Sequence, residues 1–183
     1  MKMCERSKSF LRDVSVNLIG VIVAAVISIF IAFHVYDCRS QEQCNSILEM
    51  VIEENSLNET NSGIILNFLT PIVEDNKKDL LSMNNFMNRF LTKATNIASE
   101  SNLVLSFTSP ALRKDILVHS TNLHNLNANI DEFNNFITRS KTSSLINFSY
   151  VKQWAAQLIE TINERSDNSK EISKKIRIYL NNQ

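Results

Sequence analysis

Residues 14–36 read VSVNLIGVIVAAVISIFIAFHVY, 23 positions without an Asp, Glu, Lys or Arg, and no comparable stretch follows. A run of that length has few folding options. As an α-helix it extends about 34 Å at about 1.5 Å per residue, enough to cross a hydrocarbon core of about 30 Å with slight tilt. The expected layout is a short cytoplasmic flank (residues 1–13), a transmembrane helix (residues 14–36) and a soluble helical-bundle domain (residues 37–183). A basic head followed by an apolar run also describes a secretory signal, but a signal's apolar core is about 7 to 15 residues long and ends in small residues. Here His34, Val35, Tyr36 and Asp37 close the run, so it reads as an uncleaved anchor. Val35, Tyr36 and Asp37 are also too large or too polar to precede a lipoprotein cysteine at Cys38.

Basic residues near a span favour the cytoplasmic side. Lys2, Arg6, Lys8 and Arg12 precede this one, and Arg39 is the one basic residue in the 40 that follow. The N-terminus is therefore expected in the cytoplasm of a single-pass cell-membrane protein, with the soluble domain extracytoplasmic. Within the span Gly20, Ala24, Ser28 and Ala32 recur every four residues, with Asn17 on the same side, so small side chains form one ridge. In lipid, close backbone approach and interhelical hydrogen bonds drive association, which makes the ridge a candidate packing face for a homodimer or a partner membrane helix. Cys38 and Cys44 stand about 9 Å apart along a continuous helix axis, too far for a bridge whose α-carbons must lie within about 7 Å. In an oxidising compartment they are candidates for intermolecular disulfides with a second chain.

Beyond Tyr36 the chain has 15 Lys and Arg against 17 Asp and Glu, so it lacks the basic footprint that nucleic acid demands. It is large enough to bury a core without metal or disulfide support. Gly20 and Gly63 are the two glycines, Pro71 and Pro110 the two prolines. Tight hairpins and phosphate loops need glycine at positive φ, so an all-α fold is expected. Ile47, Leu48, Val51 and Ile52 mark a helix over about 40–56, and the turn-forming run Asn-Glu-Thr-Asn-Ser-Gly at 58–63 reads as a linker. A stripe from Ile65 to Ile97 predicts a helix over 64–100, with Pro71 either kinking it or standing at its first position. Ser109 and Pro110 form a start signal for a helix over 110–139, whose seam Leu112, Ile116, His119, Leu123, Leu126, Ile130, Phe133 and Ile137 alternates steps of four and three. A last helix over 145–180 carries Phe148, Val151, Ala155, Leu158, Ile162, Ile172, Ile176 and Tyr179, interrupted by Arg165 and Ser169. Residues 103–108 (LVLSFT) read as a loop. The whole predicts an antiparallel bundle of three or four long helices.

Chemistry-bearing patterns are sparse. His119 and His124 diverge around a helix and no HExxH occurs, so neither a metal nor another cofactor is expected. Asp115 and His119 share a helical face, the arrangement of an oriented general base, but His119 sits on the apolar seam, where a register-setting polar residue is the commoner role. Glu53 and Glu54 are adjacent and diverge, which suits glycoside hydrolysis poorly. Asn122, Asn125, Asn127, Asn129, Asn134 and Asn135 give the third helix a polar face of amides, able to meet solvent or a small polar ligand. Asn58-Glu59-Thr60 and Asn147-Phe148-Ser149 match the glycosylation sequon.

The Val16, Asn17, Leu18 start of the span and the Glu53, Glu54, Asn55 helix end make residues 10–55 resemble a recurrent type of uncharacterised bacterial single-span membrane protein with a helical soluble domain. The resemblance implies no activity. It implies a cytoplasmic domain, since those proteins carry a strongly basic segment after the span, whereas Asp37, Cys38, Arg39 and Glu42 stand there in this chain. The expected function is that of a non-enzymatic interaction, scaffold or assembly module on the bilayer. The alternative is an extracytoplasmic ligand-sensing bundle that signals through a partner protein.

Overall fold

The computed structural model describes the backbone of residues 2–74, 87–141 and 148–183, and the side chains of residues 22–74, 87–139 and 148–183. Among these every regular element is an α-helix: α1 (Lys2–Val73), α2 (Lys93–Glu100), α3 (Asn102–Phe107), α4 (Pro110–Lys141) and α5 (Phe148–Asn181). The all-α expectation holds. The chain divides into two compact units, Met1–Gln43 and Cys44–Gln183. In the first, α1 is long and apolar enough to cross a membrane by length and composition, and no part of its apolar window is buried.

The second unit corrects the reading of residues 58–63 as a linker, because α1 runs through them without a break. Cys44, Leu48, Val51, Asn55, Asn58, Ser62, Ile65, Leu69 and Ile72 alternate steps of four and three, and all nine are buried. That is one uninterrupted coiled-coil seam whose three middle positions are polar. Ser62 returns its hydroxyl to the Asn58 carbonyl at 2.9 Å, so it adds no unmet donor to the core. Pro71 does not open a new helix; it lies inside the last turn of α1. Gly63 faces outward, with nothing within 4 Å of a Cβ built on it. Since helical glycine costs about 0.5–1 kcal/mol relative to alanine, Gly63→Ala is expected to raise stability by that amount, measured as a higher urea midpoint.

The remaining boundaries follow from α1 ending at Val73. Of the predicted helix over 64–100, the described residues hold the first turns within α1 and the last as α2; residues 87–92 are non-helical, and 75–86 lie outside the described residues. The segment read as a loop, 103–108, is mostly the short helix α3. The start signal at α4 is met as expected, since the Leu112 amide donates to Ser109 Oγ at 3.2 Å. Among the described residues three long helices build the bundle.

Their directions can be read from paired residues. Asp115 meets Lys175 at one end of the α4–α5 contact and Phe133 stacks edge-on against Trp154 at the other, so the two are antiparallel. Asn55 reaches Ser173 while Glu59 reaches Lys170, so α5 also opposes α1, and α1 and α4 run parallel. The core falls into two apolar clusters. One gathers Ile65, Leu69, Phe133, Leu158 and Ile162 with Phe90 from the connector; the other gathers Leu48, Val51, Ile116, Ile172 and Ile176 with Ala98 and Val104. Between them lie the polar seam positions.

Candidate functional site

The polar waist is built from one seam residue of each long helix. Asn55 of α1 is 3% exposed, His119 of α4 is 1% and Ser169 of α5 is 4%. Asn55 Nδ2 donates to Ser173 Oγ at 3.0 Å and to the Ser169 carbonyl at 3.3 Å. With both amide protons committed, Asn55 Oδ1 accepts from His119 Nε2 at 2.9 Å, which fixes the tautomer: Nε2 carries the proton and Nδ1 is a bare acceptor. Burial, and secondarily the positive charge of Arg165, lower the His119 pKa to about 4, so the ring is neutral at pH 7. Its Nδ1 has no hydrogen-bond partner among the described residues.

This arrangement differs from the Asp115–His119 pair that the spacing suggests. Asp115 instead accepts from Lys175 Nζ at 2.8 Å, and the same Nζ reaches Glu171 at 2.8 Å. Among the described residues no hydroxyl or thiol is hydrogen-bonded to His119, whose partner is Asn55. No group of three His, Cys, Asp or Glu among them could hold a metal.

A second polar constellation clamps the non-helical segment 87–92 between α1 and α4. Three asparagines each grip one residue of it by both main-chain groups. Asn58 takes the Leu91 amide at 2.7 Å and gives to its carbonyl at 2.8 Å; Asn127 does the same for Phe90 at 2.7 and 2.9 Å, and Asn134 for Met87 at 3.1 and 3.0 Å. A carboxamide offers one donor edge and one acceptor, as a neighbouring peptide group does, so these side chains replace the strand that the segment lacks. From Met87 to Phe90 the segment spans the distance between Asn134 and Asn127. Seven helical residues cover about 10.5 Å, or about 3.5 Å for each of the three segment residues, close to the reach of a fully extended chain. Asn61 and the bidentate Arg89–Asp131 pair hold the solvent side, and Met87 and Phe90 bury their side chains in the core.

The segment then delivers α2 onto Glu54. Glu54 is 6% exposed and accepts from the amides of Ala94 and Thr95 at 2.7 and 2.9 Å, and from Thr95 Oγ1 at 2.5 Å. A carboxylate from α1 thus caps the first turn of α2, where the helix dipole and unpaired donors favour a negative charge. Sequence reasoning dismissed Glu54 as half of an acid pair and left Asn127 and Asn134 in a generic polar face. The available signal was their spacing of seven beside the α4 seam, which repeats one helical position.

The residues singled out in the sequence fare unequally. Asn17 and Gly20 lie outside the residues whose side chains are described, as does the sequon at Asn147. Ala24, Ser28 and Ala32 are exposed on α1, and Ser28 already donates its hydroxyl to the Ala24 carbonyl at 2.8 Å, which leaves its small size and acceptor lone pairs for any partner. Cys38 is exposed, 3.9 Å from His34 Nε2. Cys44 is a correction: it is wholly buried in the second apolar cluster, burial pushes its thiol pKa up, and no second chain can reach it while the bundle is folded. Asn58 is likewise 1% exposed with its Nδ2 bonded to the Leu91 carbonyl, so a glycan there is incompatible with the folded bundle.

Between α4 and α5 a cleft of about 290 Å³ opens above His119, with Lys114, Asp115, Asn122, Asn168, Glu171 and Lys175 around it and Val118 and Ile172 as apolar wall. A second cleft of about 140 Å³ lies on the other side of the waist, by Asn55, Glu59, Ser173 and Arg177. The waist therefore joins two solvent-facing clefts through one buried hydrogen-bond network. No family model, curated protein or solved structure matches this chain.

Proposed function

We propose that the chain is a single-pass membrane-anchored helical bundle that works as an interaction, scaffold or assembly module and carries out no catalysis of its own. The observation that carries this reading is the apolar surface of α1: Ile22, Val23, Ile27, Ile29, Phe30, Ile31, Phe33 and Tyr36 are each half or more exposed, Phe30 at 72%. Contiguous apolar surface of that kind is unstable in water and is covered by lipid or by another protein. The charge-free composition over 23 residues favours lipid, and the four basic residues ahead of it favour a cytoplasmic N-terminus with the bundle outside. The ridge of Asn17, Gly20, Ala24, Ser28 and Ala32 is then the face toward a second copy or a partner helix, and Cys38, exposed just past the span, is placed to bond its counterpart.

A bundle held together by buried Asn, His, Ser and Glu networks is specified in register more strictly than an all-apolar core, which suits a module that presents a fixed surface. That surface includes Met50, Leu57, Leu91 and Ile97, exposed beside one another on α1, the clamped segment and α2. The reading is tested with the full chain in native membranes. It predicts that alkaline carbonate leaves the protein in the pellet, and that Gly20→Leu with Ala24→Leu reduces self-association in a membrane two-hybrid assay at least fivefold. Release by carbonate would overturn the anchor. Undiminished association would overturn the ridge while leaving the anchor standing.

A further inference from the structure

The α4–α5 cleft combines features that neither the anchor nor the bundle core requires. At its floor is His119, buried and tied through Nε2 to Asn55, with the opposite ring nitrogen an acceptor that no described residue meets. Around the mouth Asn122 and Asn168, both half-buried, and the exposed Lys114 form no hydrogen bond or ion pair with any described residue, so their donors and acceptors are uncommitted. Asp115 and Glu171 share Lys175 and so keep free lone pairs on their outer sides.

The chemistry of a ligand follows from the balance of these groups. Two cations and two carboxylates line the cleft, so an ion of either sign meets as much repulsion as attraction. The donor that meets His119 must be uncharged, because the ring is buried near Arg165, where a second positive charge is disfavoured. Both walls carry donors and acceptors, which suits a ligand that carries several groups able to do both, as hydroxyls are. Val118 and Ile172 supply the apolar wall that the carbon skeleton of such a ligand needs. The volume of about 290 Å³ sits at the small end of ligand sites.

We propose that this cleft binds a neutral polyhydroxylated small molecule of monosaccharide size, with Asn122, Asn168 and Lys114 bonding its hydroxyl oxygens and His119 Nδ1 accepting a hydrogen bond from one of its hydroxyls. The side chain of His119 turns slightly to expose Nδ1 as the ligand enters. Because the ring is also bonded to Asn55, and Asn55 to Ser169 and Ser173, a ligand that moves it acts on α1, α4 and α5 together.

The site is independent of anchoring and is tested separately, with the full chain in lipid nanodiscs titrated with glucose, galactose and myo-inositol as probes, and with glycine and citrate as charged comparisons. Saturable heat with at least one polyol, accompanied by a shift of the His119 Nδ1 resonance, is expected. Asn122→Ala and Asn168→Ala should each weaken that binding tenfold or more with the melting temperature unchanged, since neither side chain belongs to the core. Absence of saturable binding by all three polyols, binding indifferent to both substitutions, or saturation by glycine or citrate in their place would overturn the proposal.

Discussion

Asn58→Ala is expected to cost about 2–4 kcal/mol, which for a chain of this size corresponds to a fall of about 5–15 °C in melting temperature. The loss exceeds that of one surface hydrogen bond because of what is left behind. Asn58 is 1% exposed and serves both main-chain groups of Leu91 at once, so truncation strands a donor and an acceptor against the body of the bundle. It also loosens the segment that places Met87 and Phe90 in the core and brings α2 to Glu54. Asn61→Ala provides the contrast. Its single bond to the Arg89 carbonyl faces solvent, water replaces it, and the cost should stay below about 1 kcal/mol. Urea unfolding followed by helical circular dichroism separates the two. Equal effects would mean that the asparagine clamps do not hold the segment.

Stability should also fall as the solution is acidified from pH 6.5 to pH 4, through His119. In the folded chain burial, reinforced by Arg165, lowers its pKa to about 4, against the ordinary 6.5 of an unfolded histidine. Between those values the unfolded chain binds the proton and the folded chain does not, so protonation pulls the equilibrium toward unfolding. The contribution is complete above pH 6.5, declines across the window and is spent below pH 4. Its size is about 3 kcal/mol, taking about 1.4 kcal/mol for each pKa unit. The charged groups facing the neighbouring cleft are Asp115, Glu171, Lys114 and Lys175, and the comparison with His119→Gln isolates the histidine from them. Glutamine retains an amide donor for Asn55 and does not titrate, so the variant should show a flatter profile across the same window. A variant as steep as the parent would place the acid sensitivity elsewhere.

The legibility of this chain in its sequence tracks how local each interaction is. The seams of α4 and α5 are readable because apolar residues recur there at four and three, and Ser109 with Pro110 announces α4 within four residues. The same periodicity runs through α1, but Asn55, Asn58 and Ser62 occupy its middle, next to Gly63, and polar residues beside glycine look like a turn. What keeps them helical is remote: Ser173 is 118 positions from Asn55, His119 is 64, and Leu91 is 33 from Asn58. The stripe between Ile65 and Ile97 fails for the opposite reason. Met87, Phe90 and Ala94 are all buried, but in two different clusters and from a non-helical segment and a new helix, and a stripe of buried residues does not record the backbone that carries it. The site was partly visible. Arg165 and Ser169 stand out as breaks in the α5 seam and His119 as a polar residue in the α4 seam, and they fall at one level of the bundle because antiparallel packing brings those breaks together.

Hydrogen exchange at residues 55–65 tests the central claim most directly, that one helix runs unbroken through the bundle from Cys44 to Val73 and carries the polar waist. Measured on the full chain by mass spectrometry, the amides of this stretch should be protected to the same degree as those of 44–51 and 65–72 on either side, since all lie in one helix buried along one seam. Exchange within seconds at 58–63, flanked by slow amides on both sides, would mean that the chain turns there and would contradict the account.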